Sequence, residues 1–117
     1  MSKNVQTISA YRIINDVIPK LNAVEKLVES TLNEIVVTSR LPVEIARYSK
    51  LQIEFQLEIS MIRMNLEHFL HRYQVEITAV KQNEKNDRLL TLDPQEMIAI
   101  ESATVLYRRV QELQQTQ

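Results

Sequence analysis

The chain of 117 residues contains no glycine, no cysteine and no tryptophan, and only three prolines. Average usage would supply roughly eight glycines in a chain of this length, so their absence is informative. Phosphate-cradling loops and dinucleotide fingerprints need backbone without a Cβ close to the ligand, and those enzyme classes are excluded on that ground. Without cysteine there is no disulfide framework, thiolate metal site or thiol nucleophile. Four tyrosines and two phenylalanines offer little lining for a large planar cofactor.

Long apolar runs are missing as well. Met1-Ser2-Lys3-Asn4 leads straight into mixed polar and apolar residues without a signal core. Charged residues recur too often for the roughly 18 apolar residues of a membrane span. The expectation is a cytoplasmic protein with no membrane partner. Fourteen basic residues against fifteen acidic ones give a net charge of −1, which provides no long-range pull on nucleic acid.

What is present is helical periodicity, and it predicts one helical domain over 1–117 with frayed ends at 1–6 and 115–117. Breaks at Ser39-Arg40-Leu41-Pro42 and in the polar stretch 81–93 divide the chain into three segments. In the first, Ile14, Val17, Leu21, Val24, Val28, Thr31 and Ile35 recur at steps of three and four, widened by Ile13, Ile18, Leu27 and Leu32. Pro19 falls inside this pattern, lacks an amide hydrogen and predicts a kink or a fresh start.

In the middle segment Tyr48, Leu51, Phe55, Ile59, Ile62, Leu66, Phe69, Tyr73, Ile77 and Val80 form one helical stripe. The alternation from Leu51 to Ile59 also fits a half-buried strand, so an α+β fold with strands around 51–61 and 73–80 is the alternative. Helix is preferred because a hairpin needs positive φ at its turn and no glycine is available. Ile53, Leu57, Met61, Met64 and Val75 fall on a second apolar face, away from the first. In the third segment, Asp93-Pro94-Gln95-Glu96 has the form of a capping box with proline at the first helical position. Ala99, Ala103, Leu106, Val110 and Leu113 continue it as an amphipathic helix.

The fold class expected is therefore all-α, with three main helices near 7–38, 42–82 and 94–114 in an elongated bundle. An unbroken helix over 42–82 would measure about 60 Å, far beyond a compact domain of this size. Either it breaks, or its two apolar faces are covered by a second copy. Homodimerisation is favoured, because twofold pairing is the commonest closed way to bury such a face.

Candidate chemistry is sparse. His68 and His71 stand three apart on a helix, yet neither has a Glu three residues before it, as a carboxylate-bridged site would require. They are read as flanking Phe69, with Glu67 paired to His71 one turn later. No metal, cofactor or catalytic residue is assigned, and no enzyme activity is expected. Function is read as a non-catalytic interaction module, an adaptor, assembly chaperone or inhibitor. Ile53, Leu57, Met61, Met64, Arg108 and Arg109 are its candidate contacts with a heterologous protein. The alternative is a dimeric nucleic-acid-associated regulator using Arg40, Arg47 and Lys50 with Lys81, Lys85 and Arg88, although Glu44, Glu76, Glu84 and Asp87 are interleaved with them.

Overall fold

The computed structural model describes residues 6–115 and is mainly α-helical, with four helices and one small two-stranded sheet among the described residues. Strand β1 (Gln6–Ser9) leads into helix α1 (10–38). Helices α2 (Pro42–Arg72) and α3 (Gln74–Gln82) follow, then a 3-10 turn at Glu84–Asn86, strand β2 (Leu89–Leu92) and helix α4 (Pro94–Gln115). The principal extents are 53 × 36 × 22 Å and the radius of gyration is 17.1 Å. A compact chain of this length would have a radius near 13 Å, so the molecule is elongated.

Helix α1 is continuous through Pro19 because the turn before it is wound as a π-helix. The segment Ile13–Val17 is π-helical, and Ile18 donates its amide to the Ile13 carbonyl five residues back. Pro19, which has no amide to give, then sits in the first α-helical turn. A second π segment spans Val28–Leu32. Each wide turn holds an extra residue, so the buried positions run Ile13, Val17, Leu21, Val24, Val28, Leu32, Ile35. Ile14 and Thr31, expected in the core stripe, lie at its margin instead.

The middle segment is helical, which removes the α+β alternative: 51–61 lies within α2, and 73–80 is Tyr73 followed by α3. Pro42 starts α2 at its first position, and the Ser39 hydroxyl accepts from the Leu41 amide in the preceding turn. Of the predicted stripe, Phe55, Ile59, Ile62, Leu66, Phe69, Ile77 and Val80 are buried. The helix is not continuous to residue 82. Tyr73, with φ −110° and ψ 29°, leaves the helical region and separates α2 from α3. Its ring packs on Phe69 at 5.0 Å, and its hydroxyl donates to the Thr91 carbonyl (3.0 Å) and accepts from the Thr91 amide (3.2 Å). Those tertiary bonds hold the side chain where a regular helix would not carry it.

The sheet was not expected. β1 and β2 pair antiparallel with Ile8 opposite Leu90 and Thr7 opposite Thr91, and Ile8 and Leu90 are both buried. Ser9 then caps α1 by accepting from the Arg12 amide, while Ala10 and Tyr11 donate to the Arg88 carbonyl and the Asp87 carboxylate. Thus α1 begins at Ala10 rather than near residue 7. Fraying was expected at 1–6 and 115–117; residues 1–5 and 116–117 lie outside the described residues, Gln6 is paired in β1, and Gln115 belongs to α4. Helix α4 packs its Ala99, Ala103, Leu106 and Val110 against both α1 and α2, where the small residues permit close approach.

Candidate interaction face and the buried polar cluster

Helix α2 presents two faces of different fate. On the inner one, Phe55, Ile59, Ile62, Leu66 and Phe69 pack against α1 and α4. On the outer one, Ile53, Leu57, Met61 and Met64 retain 58%, 63%, 65% and 70% of their accessible surface. At 100° per residue these four fall within an 80° arc of the helix, turned about 165° from the core stripe. Single exposed apolar residues are unremarkable, but four in consecutive turns make a continuous strip. Val43, 81% exposed, extends it toward the start of the helix. Val75 is also exposed but belongs to α3, beyond the break at Tyr73.

Arg108 and Arg109 do not join this strip. The Arg109 guanidinium lies 4.8 Å from the centre of the Phe55 ring and 4.0 Å from the Glu58 carboxylate, tying α4 to the flank of α2. Arg108 lines an open groove between β1 and α4, with Thr7, Ile8 and Thr104. The basic residues proposed for nucleic acid are all exposed. They stay apart, however: Arg40, Arg47 and Lys50 surround the start of α2, whereas Lys81 lies in the last turn of α3 and Lys85 and Arg88 follow it. Asp87, among the second set, is engaged with the Tyr11 amide at 2.9 Å.

One polar cluster lies where α2 meets the start of α4. Glu96 is the single buried charged residue among those described, with a side chain only 2% accessible. The capping box read from the sequence is formed: the Asp93 amide donates to Glu96 Oε1 at 2.9 Å, and the Glu96 amide donates to Asp93 Oδ1 at 2.7 Å. Glu96 also accepts from Arg72 Nη2 at 2.7 Å, and its Oε2 lies 3.3 Å from His68 Nδ1. Arg72 Nη2 donates in addition to the Thr91 carbonyl at 2.7 Å, and Arg72 Nη1 is 3.8 Å from Asp93. Burial opposes the charge of Arg72, but the Glu96 carboxylate and the contact with Tyr73 outweigh it and hold the guanidinium pKa above its ordinary value.

Ligand atoms of His68, Asp93 and Glu96 lie within 4.8 Å of one another. Arg72 already places a permanent positive charge against both carboxylates, so a cation entering there would meet like charge. The cluster therefore clamps the foot of α4 to α2. His71 takes no part in it, and among the described residues Glu67 is not paired with His71; His68 reaches across to Glu96 instead. The sequence signalled Glu96 only as a cap, since nothing local links residue 96 to residues 68 and 72.

A second interhelix tie joins Arg63 of α2 to α1. Its Nε donates to Glu25 at 2.8 Å, its Nη2 bonds the same carboxylate oxygen, and Nη2 reaches Asn22 at 3.0 Å. The polar groups at this seam and at the α2–α4 seam thus have partners within the chain, in contrast to the outer apolar strip of α2. Among the described residues no helix is long and apolar enough to cross a membrane. Comparison with family models, with curated proteins and with solved structures finds no match to this chain.

Proposed function

We propose that the protein is a non-catalytic helical interaction module that works by docking the outer face of α2 on an apolar helix of another chain, as a cytoplasmic adaptor, assembly chaperone or inhibitor does. The observation that carries this reading is the exposed strip Ile53, Leu57, Met61 and Met64 on a helix whose opposite face is already filled by the core. Amphipathic recognition uses anchors spaced by three and four residues, which is the spacing here. Two methionines suit such a surface, because flexible thioethers adapt to different partners. Homodimerisation through the same strip belongs to this reading.

The test compares proteins captured from expressing cells by the tagged chain with those captured by a Leu57→Glu, Met61→Glu variant. Both positions are solvent-exposed in the single chain, so the helix content of the variant by circular dichroism should match the parent. Loss of specific partners from a folded variant is the expected result. Identical recovery by parent and variant overturns the reading.

A further inference from the structure

We infer that the occupant of this face is a second copy of the chain, paired antiparallel along α2 about a twofold axis between Glu58 and Ile59. The inference rests on the docking reading above and names its partner. Two interleaved sets of residues, each repeating every seven, run along the exposed side of α2. Val43, Lys50, Leu57 and Met64 make one, and Ala46, Ile53, Ser60 and Glu67 make the other; all eight are exposed. Five of the eight are apolar, and the spacing is that of the seam of a two-helix coiled coil, with Met61 beside it.

Pairing direction follows from the charges. In an antiparallel pair about this axis Ile53 meets Met64 and Leu57 lies by Ser60 and Met61 of the second copy, while Val43 falls opposite Gln74, beyond the end of α2. Lys50 then meets Glu67 at both ends of the seam. In a parallel pair Lys50 would face Lys50 and Glu67 would face Glu67, both repulsive. Within one chain the two residues are 17 positions apart, about 26 Å along the helix, and cannot meet. Among the described residues neither has an ion-pair partner of its own.

The area is adequate. The exposed parts of Ile53, Leu57, Met61 and Met64 come to roughly 100 Å² each. Adding Ala46, Lys50, Ser60 and Glu67 brings the seam to about 700 Å² per copy, within the range of a standard interface. Among the described residues no structural element covers this side of α2, so two copies can approach without rearrangement.

Charge reversal tests the pairing by sedimentation equilibrium of the full chain. The parent should dimerise, Lys50→Glu and Glu67→Lys should each weaken dimerisation by about tenfold, and the double reversal should recover most of the loss. Recovery can arise only between copies. With no native cysteine, Ile53→Cys mixed with Met64→Cys should form a disulfide-linked dimer, whereas Ile53→Cys alone should not. A monomeric parent at about 100 µM, a double reversal no better than the singles, or self-linking by Ile53→Cys overturns the inference. A monomeric parent whose partner capture is still abolished by Leu57→Glu, Met61→Glu overturns the self-pairing alone. Capture that the same variant leaves intact overturns the docking reading.

Discussion

Replacing Arg72 by leucine separates the contribution of the buried clamp from that of the apolar core. The arginine donates to Glu96 and to the Thr91 carbonyl, both at 2.7 Å, and stands 3.8 Å from Asp93. Once it is gone, the Glu96 carboxylate keeps the Asp93 amide and His68, but loses its permanent counter-charge at a site 2% accessible. Breaking one side of a buried ion pair costs about 3–5 kcal/mol. Arg72 itself is 37% exposed, so water reaches the edge of the cluster and the expected cost is nearer 2–3 kcal/mol. Arg72→Lys keeps the charge but not the forked geometry and should cost about 1 kcal/mol.

Glu96→Gln retains an oxygen for the Asp93 amide and leaves Arg72 partly solvated, so about 1–2 kcal/mol is expected. Urea denaturation followed by circular dichroism measures all three, and a loss of 2–3 kcal/mol corresponds to a melting temperature lower by roughly 10 °C at this chain length. The double variant Arg72→Leu, Glu96→Leu should be less destabilised than the sum of its singles, because neither charge is left stranded. If Arg72→Leu cost under about 1 kcal/mol, or the double variant were simply additive, the clamp would not hold α4 as argued.

Tyr73→Phe deletes a hydroxyl that bonds both the amide and the carbonyl of Thr91, and should cost about 1–2 kcal/mol in urea denaturation while leaving helix content unchanged. Asp16 is held below its ordinary pKa of 3.8, first by its hydrogen bond to Lys20, against the opposing effect of burial, and then by Arg12. A depressed carboxyl stabilises the fold above its unfolded value and loses that contribution as pH falls through the folded one. Asp16→Asn should therefore cost about 0.5–1 kcal/mol at neutral pH, and the difference from the parent should shrink as pH falls below 3.8 through the lowered folded-state value in pH-dependent thermal melting.

The parts of this fold legible in the sequence are those fixed by neighbours within a turn or two. The Phe55 to Val80 stripe, the Asp93–Glu96 box, the Pro42 start and the small-residue seam of α4 all declare themselves through spacing or capping chemistry. Where distant contacts decide, the sequence is silent. Tyr73 has no proline or glycine beside it to mark a helix break, and its position is set by Thr91, 18 residues away. The strands are four residues each and lie more than 80 residues apart, so neither carries enough alternation to be told from helix or loop. Ile13 and Leu32 entered the core in place of Ile14 and Thr31 because two π turns shift the phase of α1, and only near Pro19 does the sequence hint at such a shift. The outer strip of α2 was visible as a pattern, but its separation from Arg108 and Arg109 depended on how α4 packs.

Joining β1 to β2 has a kinetic cost. The two strands enclose a loop of about 80 residues, and closing one that long from an unfolded chain costs on the order of 4 kcal/mol in entropy. Four residue pairs anchored by Ile8 and Leu90 cannot meet that cost alone; α1, α2 and α4 must first bring the two ends near each other. The ribbon is consequently expected to assemble last and open first. Amide hydrogens at Ile8 and Leu90 should therefore exchange with solvent ahead of those at Leu21 and Phe55, and thermal opening should start where β1 meets the approach to the final helix.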